Sequence, residues 1–297
     1  MPLFDTSFKA MGGPGEIQLD APDEATARRC FKLALDEIDR LEIKYSRYRA
    51  GSLISRINAA AGAEPVAIDE ETSALLDYGG EMHRQSEGRF DLTSGVWRRV
   101  WHFGQEAARP PSDEERHALL PLVGWALVER EGLTVRLSRA GMELDLGGIG
   151  KEYAVDRCAA VLQQAGVVHA LVNLAGDLRA LGPKPDGGAW RVGVRDPHAP
   201  TRMLADIEMA QGALATSGDY ERCLLHEGRR YGHVLDARSG QPVDHWRSVS
   251  VRAPTTLMAG SLSTLTLLMQ EQGLKLLRDS GLDFLAVDAQ GQVHTRS

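Results

Sequence analysis

Three cysteines in 297 residues, at positions 30, 158 and 223, are too few and too scattered for a disulfide framework or a thiolate metal site. They are expected to serve as small core hydrophobes. No Cys-x-x-Cys pair and no His-Glu-x-x-His run occurs, which argues against a dedicated zinc site. The Gly-x-Ser-x-Gly elbow of serine hydrolases is missing too. Aromatic residues make up only 6% of the chain, and no basic stripe interleaves with them. With a net charge of −7 and a pI near 5.7, the chain is not built for nucleic acid. No apolar run is long enough for a membrane span. Residues 1–6 carry no basic segment leading into an apolar run. The expected compartment is therefore the cytoplasm, or the periplasm if an export segment precedes this sequence.

What is there is ordinary globular composition: 43% hydrophobic and 25% charged. That supports one large core or two lobes. A short strand is expected around residues 16–19. Pro22-Asp23-Glu24 opens a long helix, with Ala27, Phe31, Leu35, Ile38 and Leu41 on one face. A second helix is expected over 70–87, stopped by Gly88. The Pro- and charge-rich stretch 104–116 reads as an exposed loop. Two strands are expected within 125–146, a helix over 151–165, strands at 170–173 and 190–194, a last helix over 257–277 and a strand at 284–287. There is no internal repeat and no low-complexity linker. The fold class is α+β: two interleaved α/β lobes of mixed sheet and helices in a single domain over 1–297.

The most informative stretch runs from Met142 to Asp156. An apolar segment ends in Asp145, turns through Gly147, Gly148 and Gly150, and enters a helix at Lys151. A helix N-terminus leaves N–H groups unpaired and carries partial positive charge. Glycines let a phosphate approach that backbone. Taken alone, such a turn is more often a simple reversal. Its spacing is neither a dinucleotide fingerprint nor a Walker A loop. Three further polar turns follow the same pattern, at 89–95, 173–177 and 215–222. Each alone reads as structural, but four together read as loops around a pocket. His233 stands near an acid, Asp236, in a strand-like run. His83, His102, His117, His198 and His226 are expected at the surface. Any metal would be a hard, oxygen-bound cation of the magnesium type.

In this order, the motifs resemble those of the ApbE family, the FAD:protein FMN transferases, over nearly the whole chain. Met11-Gly12 is similar to its Met-Gly-Thr, and Ser46-Arg47-Tyr48 with Ser52, Ile54 and Asn58 to its Ser-x-Tyr segment. Phe90-Asp91-Leu92-Thr93-Ser94-Gly95 is similar to Phe-Asp-Ile-Thr-x-Gly. Asp145 to Asp156 resembles Asp-Leu-Gly-Gly-Ile-Gly-Lys-Gly-Tyr-Ala-Val-Asp, with Glu152 for a glycine. Residues 173–177, 190–193, Thr216 to Tyr220, and His233 to Asp236 with Gly240 and Pro242 match as well. The resemblance implies an ApbE-like (T-fold-like) architecture and the transfer of FMN from FAD to a threonine hydroxyl of an acceptor flavoprotein, with release of AMP. It implies FAD contacts at Met11, Tyr48, Arg89, Phe90, Asp91, Asp145, Lys151 and Leu235. His233 would assist deprotonation of the hydroxyl. Mg²⁺ would be held by the Gly148 carbonyl, Ser263 and Thr264.

Two positions depart from the pattern. Gly13 stands where the family has the threonine of Met-Gly-Thr. Gly260 stands where the metal-binding aspartate of Ala-Asp-Ala-x-x-Thr is expected, in the run Ala259 to Thr264. Loss of that carboxylate lowers metal affinity unless another acid, such as Asp145 or Asp177, reaches in. Two alternatives therefore stay open: a catalytically impaired FAD-binding homologue, in which Gly260→Asp would bring turnover back, and an FAD pyrophosphatase.

Overall fold

The computed structural model describes residues 1–105, 108–218 and 222–296. Its frame is an antiparallel sheet of eight strands that neighbour one another in chain order. They are β1 (Leu3–Ala10), β2 (Gly13–Asp20), β3 (Ala170–Leu174), β4 (Asp177–Ala180), β5 (Gly212–Gly218), β6 (Trp246–Ala253), β7 (Asp283–Asp288) and β8 (Val293–Thr295). The helices are α1 (Glu24–Tyr45), α2 (Leu53–Ala59), α3 (Glu70–Gln85), α4 (Asp113–Leu119), α5 (Gly150–Gln164), α6 (Thr256–Met269) and α7 (Gly273–Ser280). All of α1–α5 is inserted between β2 and β3. Among the described residues, no helix is long and apolar enough to cross a membrane.

Alternation along the strands decides what each face of the sheet meets. Ala170, Val172 and Leu174 on β3 pack with Ile17 and Leu19 on β2 against α1 and α5. Leu178 and Ala180 on β4 and Leu214 on β5 point the other way. There they meet Trp190, Val192 and Val194 of a covering hairpin, Trp190–Asp196 with Ala199–Met209. On the helix side of β5 stand Ala213, Ala215 and Ser217, small enough for α6 to lie close. The helix α1 forms because Asp23 caps it, accepting the Thr26 N–H at 2.7 Å. Its buried face is Ala27, Cys30, Phe31, Ala34, Ile38 and Leu41. Each fully buried Leu or Ile there contributes about 1.5–3 kcal/mol.

Helices α5 and α6 run antiparallel, and one residue sets their register. The Asp156 carboxylate on α5 accepts the N–H groups of Thr256 and Leu257, both at 2.8 Å. It thus caps α6 from the side. One turn back on α5 is Glu152, and one turn on along α6 is Gly260. A Cβ placed on Gly260 would lie 2.5 Å from Glu152 Cγ, so the two positions face each other.

Several expectations are corrected. The N-terminal strand is a full hairpin, β1 with β2, because the alternation of Leu3–Ala10 suits a sheet edge. The loop 104–116 gives way at Ser112 to α4, held by a capping box with Glu115. Glu106 and Ala107 of that loop lie outside the described residues. The strands within 125–146 end at Leu137. The last helix is two, α6 and α7. The chain turns at Gln270, at φ 53°, where the Trp246 Nε1–H captures the Gln270 carbonyl at 2.7 Å. Gly273 then passes so close to the Thr266 carbonyl that a Cβ would lie 2.3 Å from it. Cys30 and Cys158 are buried as expected, whereas Cys223 is only half-buried.

Asp156→Ala removes the acceptors of the Thr256 and Leu257 N–H groups and leaves the Thr255 cap on Met258 in place. We expect a loss of about 2 kcal/mol in unfolding free energy, read from urea denaturation.

Candidate functional site

The four polar turns converge on one cleft of about 630 Å³ between the helical insertion and the end of the sheet. Residues 89–95 supply Arg89, Phe90, Asp91, Ser94 and Gly95. The glycine turn supplies Asp145, Gly147, Gly148, Lys151 and Glu152. The third turn adds Asp177, and the fourth adds Thr216, Ser217, Gly218 and Arg222. Asp219, Tyr220 and Glu221 of that fourth turn lie outside the described residues. In a protein of net charge −7, five cationic side chains reach this cleft: Arg47, Arg89, Arg98, Lys151 and Arg222. Four carboxylates, Asp91, Asp145, Glu152 and Asp177, share the same wall, so the positive excess is small and the backbone N–H groups of the turn matter as much as the side chains.

No side chain caps α5. Its opening N–H groups start from the glycine turn, as an anion site requires. Gly148 is held to glycine by packing: a Cβ there would lie 2.7 Å from the Phe90 ring. Asp145 organises the turn. Its Oδ1 accepts the Gly147 N–H at 3.0 Å, and its Oδ2 pairs with Arg47 at 2.5 Å. Lys151 Nζ lies 2.8 Å from Asp177 Oδ2. Asp91 serves its own loop. Its carboxylate accepts the Thr93 N–H and hydroxyl at 2.8 and 2.7 Å and the Trp125 N–H at 2.8 Å. Arg89 is drawn to the Ser86 carbonyl and to Glu87.

The remaining predicted residues divide. Tyr48 is 78% exposed at the rim, with the Arg47 guanidinium 5.1 Å from its ring centre. Leu235 lines the cleft from a two-residue strand, Leu235–Asp236. Met11 does not line it. Met11 forms the β1–β2 turn at φ 49°, with its N–H on Glu42 Oε2 at 2.8 Å, and packs between two cores. Gly13, in place of the expected threonine, lies against Ala175, where a Cβ would come within 2.5 Å. His233 sits in a bend after the strand Arg229–Gly232, not in a strand. Its Nδ1 lies 3.1 Å from the Arg222 carbonyl. A carbonyl only accepts, so Nδ1 carries the proton in that contact.

Of the candidate metal ligands, Gly148 and Thr264 line the cleft, and Ser263 lies fully buried behind it. The Ser263 hydroxyl donates to the Gly260 carbonyl at 2.9 Å, and its oxygen meets Ser217 Oγ at 2.7 Å. Ser217 Oγ also meets Thr264 Oγ1 at 3.0 Å. Among the described residues, no group of three or more His, Cys, Asp or Glu side chains is gathered as a metal cage. The residue that sequence reading passed over is Glu152. It is 6% exposed, lines the cleft, and its Oε2 has no hydrogen-bond partner. Burial, and then the Asp177 carboxylate, push its pKa well above the usual range. The pairing of two departures, a carboxylate gained at 152 and lost at 260, could have found it.

Of the histidines expected at the surface, one is exposed at the cleft and another packs behind Asp91. His102 lines the cleft beside Phe103, which stacks on Trp101 at 5.2 Å. His83 is half-buried, with Nδ1 3.2 Å from Asp91 Oδ2 and 3.1 Å from the Phe90 carbonyl. The hydrogen bond to Asp91 raises its pKa above 6.5. A raised folded-state pKa stabilises fully below 6.5 and loses that contribution as pH climbs through the folded value. Unfolding free energy should therefore fall as pH rises past 6.5, and His83→Gln should flatten that dependence in denaturant titrations at a series of pH values.

A model of the ApbE family matches residues 11–286. A relative from Vibrio cholerae, named FAD:protein FMN transferase, is 32% identical over 261 residues, covering 84% of this chain and 78% of the relative. One of the same name from Treponema pallidum is 33% identical over 280 residues, covering 86% and 76%. Among solved structures, the ApbE protein of Thermotoga maritima superposes with a TM-score of 0.91 at 29% identity, covering 100% of this chain and 97% of that one. The flavin transferase ApbE from Vibrio cholerae gives 0.89 at 26% identity, with coverage of 100% and 97%.

Proposed function

Because the chain belongs to the ApbE family, we propose that it is an FAD:protein FMN transferase acting as a single domain over its whole length. FAD is the donor, a threonine hydroxyl of an acceptor flavoprotein receives FMN, and AMP leaves. The observation that carries this reading is the cleft at the N-terminus of α5, where no side chain caps the helix and the glycine turn and Lys151 line the wall.

The chemistry follows from the wall of the cleft. The N–H groups opening α5 and the Lys151 ammonium favour a pyrophosphate. Tyr48, at the rim, offers an aromatic face to the isoalloxazine. Arg89, Phe90, Asp91 and Leu235 shape the same wall, with Asp91 holding its loop and Asp145 holding the glycine turn. Met11 supports the turn behind it. His233, with Nδ1–H on the Arg222 carbonyl, presents Nε2 as the base. The threonine oxygen bonds to the phosphorus of the FMN half, and its proton passes to His233 Nε2. The P–O bond to the adenylate then breaks and AMP departs. Positioning and charge neutralisation are the main contributions in such a transfer.

Mg²⁺ belongs to this proposal. The residues fit a hard cation: a buried carboxylate oxygen on Glu152 lacks a partner at the cleft. Thr264 and the Gly148 carbonyl would supply neutral oxygen ligands, with Ser263 supporting from behind. When bound, the cation would neutralise charge on the pyrophosphate.

Incubation with FAD, Mg²⁺ and a threonine-bearing acceptor should yield flavin-labelled acceptor and equimolar AMP, followed by in-gel flavin fluorescence and nucleotide chromatography. AMP with free FMN and no labelled acceptor would favour the pyrophosphatase reading. Neither product at saturating metal would refute both. His233→Ala should lower kcat by about 10²- to 10⁴-fold while FAD binding is retained.

A further inference from the structure

We infer that Glu152, on α5, is the carboxylate that holds a divalent cation in this cleft, so that the acidic ligand comes from α5 rather than from α6. The inference rests on the flavin-transfer reading only for the identity of the anion that shares the metal.

Four observations converge. The side chain is 6% exposed, and its Oε2 has no hydrogen-bond partner. An uncompensated buried carboxylate costs stability, so its retention calls for a ligand. It points at Gly260, where the absent side chain leaves room: a Cβ would lie 3.0 Å from Glu152 Oε1. The Asp156 clamp on Thr256 and Leu257 fixes this opposition of helices. One turn further along the same contact come Thr264 on α6 and Gly148 ahead of α5, both in the cleft wall. Asp177 adds a second carboxylate nearby, engaged by Lys151 at 2.8 Å. Magnesium-type cations take one or two carboxylates and complete their shell with water and substrate phosphate. That preference explains why no cage of three acidic or imidazole groups is needed among the described residues.

The arrangement also revises the expectation for Gly260→Asp. With Glu152 in place, an aspartate at 260 would collide with the Glu152 stem at 2.5 Å and set two carboxylates together. It should not improve metal binding. The variant that restores a carboxylate on α6 is the exchange E152G/G260D.

Mn²⁺ is the probe, titrated into the FAD-free full chain and followed by the electron paramagnetic resonance of free Mn²⁺. FAD binding is measured separately, by flavin fluorescence in EDTA. The parent should bind Mn²⁺, and Glu152→Gln should weaken it by about tenfold or more. E152G/G260D should recover most of that loss. Without metal, Glu152→Gln should melt at or above the parent temperature, and the rise produced by Mn²⁺ in the parent should vanish. Parent-like Mn²⁺ affinity in Glu152→Gln would overturn the inference. So would a lower melting temperature with the Mn²⁺ response intact, which marks a structural role. A parent that binds FAD but no Mn²⁺ overturns it while the flavin reading stands. A parent that binds Mn²⁺ through Glu152 but no FAD upholds it and sinks the flavin reading.

Discussion

Asp156 accepts the two N–H groups that open α6, and that contact governs the geometry of the cleft. A carboxylate on unpaired helix N–H groups is strong because charge and dipole add. It locks α5 and α6 side by side in opposite directions. Given that lock, periodicity does the rest: positions 152 and 260 must meet, and Thr264 must fall near the glycine turn. The sheet supports the arrangement through Ala213, Ala215 and Ser217, whose small side chains admit α6. The hydroxyls of Ser217 and Thr264 in the cleft wall and of Ser263 behind it then form one connected set.

The departures from the family pattern are paired in space. Gly13 faces Ala175, and Gly260 faces Glu152. In each pair the glycine leaves the volume that its neighbour's side chain occupies. This is the behaviour of a close-packed interior, where volume lost on one element is taken up by its neighbour. A motif read along the chain registers two defects. Read across the contacts, the space at each glycine is filled by its neighbour, and at Gly260 that neighbour carries a carboxylate.

Much of this was legible beforehand, for identifiable reasons. Helix α1 was readable because Asp23 caps it and its apolar residues recur at helical spacing. The cleft was readable because four turns of similar chemistry follow apolar segments. The break between α6 and α7 was not. It depends on Trp246, a residue from a different strand, capturing a carbonyl. The structural use of Asp91 was hidden for the same reason, since its partners Trp125 and His83 come from elsewhere in the chain. The packing of Met11 between two cores is not legible in its motif, which gives no direction to the side chain. The contact of Glu152 with Gly260 is not legible either, since no local pattern connects two residues on different helices.

The order of strands in the sheet follows the order of the chain, yet the connections differ greatly in length. β1 and β2 close on each other through a tight turn at Met11 and Gly12. The next strand to join them, β3, begins only at Ala170, after all of α1–α5. During synthesis the hairpin therefore emerges long before its neighbour exists. One side of β2, with Ile17 and Leu19 on its core face, is an open template until then. Helix α1, made immediately afterwards, covers that apolar face from above, but it cannot satisfy the backbone groups along the strand's edge. The nascent chain thus carries a pairing-competent edge through more than half of its translation, which makes this end of the sheet the part of the molecule most dependent on timely folding.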